Sequence, residues 1–255
     1  MMIDFRKLKR IFFDYLPNLA GIEIAKNIPG SYFHFRYAPR IAALNIMDNC
    51  CFKCVMCGQW KNNPGGELST EDWKSVFLQL KQIGIKVISL AGGEPFLRKD
   101  IIDLMKYAGG IGLDTAVTTN GYLLDEEKIK DSMRAGTGRF AISLDAVGDN
   151  FDKIRGVKGA YKKVINTCEI LSQYKRAGKV EVHLYFTLMK NTLSVYKDVF
   201  AMARKFVFPL VVNLFDNTPY FFADLKGAEH KFWIDENHSY ELKNFQKFII
   251  EEKEK

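Results

Sequence analysis

The chain has little with which to build a disulfide framework, a membrane span or a histidine metal site. Its 255 residues include five cysteines, and four of them crowd between positions 50 and 57. Disulfide scaffolds spread their cysteines along the chain, so this odd, clustered set points instead to a metal site in a reducing compartment. No apolar run approaches the ~18 residues of a membrane span. The start, Met1-Met2-Ile3-Asp4-Phe5-Arg6-Lys7, leads into no long apolar segment or small-residue cleavage site. A cytoplasmic protein is therefore expected. His34, His183, His230 and His238 are scattered. The net charge of +7 is modest and dispersed, so no nucleic-acid partner is expected, although an anionic cosubstrate or an acidic partner would suit it.

The apolar fraction of 47% is ordinary for a globular protein and the length allows one large α/β domain. Residues 1–40 form an extension in which Lys7, Lys9 and Arg10 alternate with Ile11, Phe12 and Leu16, as in a basic amphipathic helix. Such a helix either packs on the main domain or lies on a membrane surface. From Ile41 the pattern becomes strand, loop, helix, repeated. Strands are expected at Ile41–Met47, Val87–Leu90, Thr115–Thr118, Phe140–Leu144, Val180–Leu188 and Leu210–Phe215. Between them, Ser69 caps a helix carrying Trp73, Phe77 and Leu80. Further helices are expected over Ile101–Ala108, Glu126–Ala135, Tyr161–Lys175 and Leu193–Phe206.

Short apolar strands alternating with amphipathic helices read as a parallel sheet, either doubly wound or a partial barrel. Residues 41–216 make up this core. Residues 217–255 hold an aromatic connection, Tyr220 to Trp233, and a charged helix from about Asp235. The pattern breaks off at Glu-Glu-Lys-Glu-Lys, which leaves either a frayed last helix or a chain that continues further.

Cys50, Cys54 and Cys57 form C-x3-C-x2-C directly after the first strand. Three thiolates on one short loop can hold three irons of a cuboidal iron–sulfur cluster, leaving a fourth iron open to a substrate. Zinc or a redox dithiol could use the same residues, but no second C-x2-C or histidine pair completes a structural zinc site. Ligands of parallel α/β folds gather at the C-terminal strand ends. Gly92-Gly93-Glu94-Pro95, Thr118-Thr119-Asn120-Gly121 and Ser143-Leu144-Asp145 all fall there.

With these motifs in this order, residues 41–216 resemble the core of radical S-adenosylmethionine (radical SAM) enzymes. The resemblance implies a partial (β/α)6 TIM-like barrel with a 4Fe–4S cluster on Cys50, Cys54 and Cys57. S-adenosyl-L-methionine would chelate the fourth iron and be cleaved reductively to a 5′-deoxyadenosyl radical that abstracts hydrogen from substrate. Glu94 would accept from the SAM ammonium, beside backbone made accessible by Gly92 and Gly93. Ser143 and Arg155 would meet the methionyl carboxylate and Asp145 the ribose. Asn120 and Met56 would line the site, Met56 standing where an aromatic residue is common. Cys51, too near Cys50 to share its cluster, reads as a non-ligand.

The blander readings are that Ser143 and Asp145 cap a segment, Arg155 is a solvated loop residue, Asn120 belongs to a turn, and Cys168 is a small buried hydrophobe. His183, Asn213 and Asp216 could face a substrate from the later strands. A low-potential electron donor of the flavodoxin or ferredoxin type is implied, with a peptide or a cofactor precursor as substrate. The nearest branch is the SPASM-associated one, yet no cysteine follows Cys168. The alternative function is an iron–sulfur electron carrier or redox sensor without SAM chemistry.

Overall fold

The computed structural model describes residues 39–61, 66–215, 232, 234 and 236–253. The expected N-terminal helix lies outside these residues, as does nearly all of the Tyr220–Trp233 connection. The chain divides into two compact units, residues 1–39 and 40–255, and the account below concerns the second.

Six strands form one parallel sheet: β1 (Ile41–Met47), β2 (Val87–Gly92), β3 (Asp114–Thr119), β4 (Thr137–Ser143), β5 (Glu181–Leu188) and β6 (Leu210–Leu214). Their spatial order follows their sequence order from β1 to β6. That order decides between the two architectures left open by periodicity. A doubly wound sheet reverses direction at a switch point. Here every crossover runs the same way, and right-handed connections therefore place the helices on one face. A twisted parallel sheet covered on one side curls toward a barrel, and its site moves to the mouth at the C-terminal strand ends.

The helices are α1 (Thr70–Gln82), α2 (Ile101–Gly110), α3 (Glu126–Arg134), α4 (Gly148–Arg155), α5 (Ala160–Arg176), α6 (Tyr196–Phe206) and α7 (Ser239–Lys253). α1 starts with a capping box: the Ser69 side chain accepts from Asp72 N–H, and the Asp72 carboxylate accepts in return from Ser69 N–H. Asp125 caps α3 in a similar way by accepting from Lys128 N–H. α6 starts at Tyr196, later than expected: a 3-10 turn over Lys190–Thr192 is followed by further turn at residues 193–195 before the helix begins.

The short helix α4 was not foreseen in the sequence. Its eight residues bury only Phe151, Ile154 and Arg155, too few apolar positions to display a 3.6-residue period. Gly156 ends it in the left-handed conformation, φ +70°.

The core fills the space between sheet and helices. Ile88, Leu90, Val117, Phe140, Ile142 and Leu184 of the strands are fully enclosed, together with Phe77, Leu104 and Leu171 of the helices. Each such side chain contributes about 1.5–3 kcal/mol of burial. Truncating Phe77 to alanine would cost about 3–5 kcal/mol. A second cluster sits under α7, where Phe245 and Phe248 pack on Tyr196 with ring centroids 5.0 and 5.1 Å away.

Candidate active site

β1 ends in an irregularity. Its register with β2 shifts between Asn45 and Met47, so Ile46 is an extra residue just before the cysteine loop. Such a bulge re-aims the chain that follows. The loop is then clamped from two sides. On one, Gly93 N–H donates to Met47 O at 2.6 Å and Glu94 N–H to Asn49 O at 2.9 Å. On the other, Lys53 N–H donates to Arg155 O at 3.1 Å and Val55 N–H to Ile154 O at 2.9 Å.

Glycine is required on both sides of this clamp. A Cβ on Gly92 would overlap Asn45 Oδ1 and the Met47 carbonyl, and one on Gly93 would overlap the Asn49 carbonyl. A Cβ on Gly156 would overlap the Lys53 carbonyl. The close approach these glycines permit is thus to the cysteine loop's own backbone. Beneath the loop, Asp48 accepts from Asn45 Nδ2 and Gln59 Nε2, both at 3.1 Å. Trp60 Nε1 donates to Cys54 O at 3.3 Å.

Cys50, Cys54 and Cys57 all border one cavity of about 490 Å³ at the C-terminal mouth of the sheet. Met56, Gly92, Gly93, Asn120, Ser143 and Arg155 border it too. Thr187, Asn213 and Phe215 close its far side from the ends of β5 and β6.

Two of the expected site residues are not on this wall. Glu94 is fully enclosed, and its carboxylate is engaged within the protein. Oε1 accepts from Phe96 N–H at 3.1 Å and Thr119 Oγ1 at 2.7 Å, and Oε2 accepts from Asn120 N–H at 2.8 Å. Burial pushes its carboxyl upward while these donors pull the other way. Asp145, 1% exposed, accepts from Thr187 N–H at 2.7 Å and pairs with Arg155 Nη2 at 2.5 Å.

Arg155 is buried at the end of α4, not solvated in a loop. Burial opposes its charge, yet Asp145 and the Cys54 sulfur together hold its pKa above the ordinary value. Its Nη1 lies 3.6 Å from Cys54 Sγ, and its Nε has no hydrogen-bond partner. Removing either member of a buried ion pair strands the other, at a cost of about 3–5 kcal/mol.

The residues fit an open iron–sulfur cluster. Among the described residues, no three His, Cys, Asp or Glu side chains converge on one point as a single ion requires. A cuboidal cluster asks instead for thiols spread around one cavity, one per iron. Donors already approach the sulfurs: Phe52 N–H lies 3.4 Å and Asn120 Nδ2 3.8 Å from Cys50 Sγ. Burial pushes the Cys54 thiol up to about 11, against the pull of Arg155. A metal would therefore displace a proton there. Cys51 Sγ accepts from Asn120 Nδ2 at 3.3 Å, and Cys51 is absent from the residues bordering the cavity.

Cys168 is fully enclosed on α5, and burial pushes its thiol up to about 12. His183 does not border the cavity, and Asp216 lies outside the described residues. The sequence reading missed Gln59, Trp60 and Thr187. Only Thr187 had a signal, its position at the C-terminal end of a strand.

Comparison with known proteins agrees with this geometry. Residues 44–203 match the Radical SAM superfamily. The chain is 31% identical over 190 residues to the Fe-coproporphyrin III synthase of Methanosarcina barkeri, covering 73% of this chain and 47% of that protein. It is 32% identical over 138 residues to the PqqA peptide cyclase of Bradyrhizobium diazoefficiens, covering 51% of this chain and 35% of the other. The fold matches Streptococcus suis SuiB bound to S-adenosylmethionine with a TM-score of 0.61 and 16% identity, covering 72% of this chain and 42% of that one. The chain thus spans about half the length, or less, of the relatives it matches. No described helix is long and apolar enough to cross a membrane. A match over more than half of the sequence, on a six-stranded parallel sheet with its cysteine loop at the mouth, places the chain in the radical SAM superfamily.

Proposed function

We propose that this chain is the SAM-cleaving core of a radical SAM enzyme, with Cys50, Cys54 and Cys57 holding a 4Fe–4S cluster and SAM occupying the adjoining cavity. The observation that carries this reading is the doubly clamped cysteine loop, whose three thiols share a cavity of about 490 Å³ with the ends of β2 to β6. When bound to these three thiols, the cluster would supply the electron for reductive cleavage of the SAM sulfonium, to methionine and a 5′-deoxyadenosyl radical that would take hydrogen from substrate.

The protein's share is to position and to exclude water. Gly92 and Gly93 bring backbone to the cavity beside the cysteines. Ser143 and the unpartnered Nε of Arg155 are donors for the methionyl carboxylate. Met56 and Asn120 contribute to the wall around the rest of the cosubstrate. Glu94 and Asp145 act behind this wall, by fixing Asn120 and Arg155. A low-potential flavodoxin- or ferredoxin-type donor supplies the electron. The substrate is a peptide or a cofactor precursor, a reading supported by the likeness to a PqqA peptide cyclase and an Fe-coproporphyrin III synthase.

Anaerobically reconstituted protein reduced with dithionite should convert SAM to 5′-deoxyadenosine and methionine. A cluster that forms but yields neither product, with an EPR signal unmoved by SAM, would establish the electron-carrier alternative.

A further inference from the structure

We propose that Arg155, braced by Asp145, is a positioning residue that raises the reduction potential of the cluster by donating a charged hydrogen bond to the sulfur of Cys54. The inference rests on the cluster assignment above and extends it to a residue that the motif would only bring to the cosubstrate.

Three observations carry it. Arg155 Nη1 lies 3.6 Å from Cys54 Sγ, a hydrogen-bond separation for a sulfur acceptor. Cys54 is 7% exposed, so this interaction occurs where water screens little. The guanidinium is also fixed in place before any ligand binds. Asp145 holds Nη2 at 2.5 Å and is itself held by Thr187 N–H at 2.7 Å. The carbonyl of Arg155 accepts from Lys53 N–H at 3.1 Å, which ties its backbone to the cysteine loop. The Phe151 ring, 5.6 Å from the guanidinium carbon, covers it further.

The sign follows from charge. Reduction adds one electron, supplied by the external donor, to a cluster already made negative by its thiolates. A cation donating to one of those thiolates stabilises the reduced form more than the oxidised form. Hydrogen bonds to ligand sulfurs and net charge are among the factors that set such potentials. Asp145 offsets part of the charge but none of the N–H donation. The arrangement would make a low-potential cluster easier for its donor to reduce, with no need for SAM to be present.

The test is an EPR-monitored redox titration of the reconstituted protein without SAM, comparing wild type, Arg155→Met and Arg155→Lys. At the wild-type midpoint, Arg155→Met should hold about tenfold less reduced relative to oxidised cluster, a downward shift of about 59 mV for one electron. Arg155→Lys, which keeps the charge, should recover at least half of that shift. An Arg155→Met protein with full iron content and a reduced fraction within about twofold of wild type would overturn the proposal, as would no recovery by lysine. If Arg155→Met does not load iron, Arg155→Gln takes its place, with the same direction of shift expected. Failure of both to load would show a purely structural role and overturn the inference. Wild-type protein that assembles no cluster would instead defeat the functional reading, and the two failures are thereby distinguished.

Discussion

Glu94 Oε2 accepts the backbone N–H of Asn120 at 2.8 Å, joining the loop after β2 to the loop after β3. The other oxygen takes Thr119 Oγ1 and Phe96 N–H, so one enclosed carboxylate ties together two strand ends on the cavity wall. The same two loops meet the cysteines: Gly93 and Glu94 through the backbone of residues 47 and 49, Asn120 through its amide nitrogen.

Glu94→Ala should therefore weaken the protein before any cosubstrate is added. It leaves three donors without their acceptor, each worth about 1–3 kcal/mol if it finds no other. Chemical denaturation of the apo protein should show a loss of at least about 2 kcal/mol. An apo stability equal to wild type, with only SAM affinity reduced, would place the carboxylate on the ligand instead.

Gly93→Ala puts a methyl group onto the Asn49 carbonyl. Overpacking of this kind costs about 1–3 kcal/mol, and the strain falls on the cysteine loop. Reconstituted Gly93→Ala should bind less iron per chain than wild type while keeping its far-UV circular dichroism. Full iron loading would show that the loop shifts without consequence.

Cys51→Ser should retain the wild-type iron content, whereas Cys50→Ser, Cys54→Ser and Cys57→Ser should each lose most of it. The contrast is informative because Asn120 Nδ2 lies closer to Cys51 Sγ, at 3.3 Å, than to Cys50 Sγ, at 3.8 Å. Loss of iron in Cys51→Ser with retention in Cys50→Ser would reassign the first ligand.

His183 gives the fold an acid sensitivity away from the cavity. Burial lowers its pKa below the ordinary 6.5, helped by Arg139 and Lys175 and opposed by Glu181. The unfolded chain then takes up this proton more readily than the folded one. The stability linked to His183 is complete above the unfolded value and is lost as pH falls through it toward the folded pKa. His183→Gln should flatten the decline of the apo unfolding temperature below about pH 6.5 and leave its course above about pH 7.5 unchanged. A decline parallel to wild type throughout would refute this linkage.

Much of the architecture is legible along the chain because each element advertises itself locally. Ser69 and Asp72 mark the start of α1, and the six apolar runs mark the strands to within a few residues at either end. The short helix α4 is not legible, since three buried residues show no period. The same short helix hides the burial of Arg155: beside Gly156 the sequence also allows a solvated loop residue, whereas the helix end encloses the side chain next to Cys54. Gly92 and Gly93 advertise a close approach, but their sequence does not say to what. The answer, the cysteine loop itself, lies more than 40 residues earlier.

By itself the sequence determined a cysteine triplet with an open-cluster spacing and a run of strand-loop-helix units that brings four polar loops to one end of a sheet. Both are local properties, readable from spacing and from the two- and 3.6-residue periods. Only the tertiary structure decided which side chains face the cavity and which brace it. Burial, and competition for hydrogen-bond donors, settle that choice. Glu94 and Asp145 lie in strand-end motifs as conspicuous as that of Ser143, yet both are enclosed behind the wall, where Glu94 accepts from Asn120 and Thr119 and Asp145 accepts from Thr187 and pairs with Arg155.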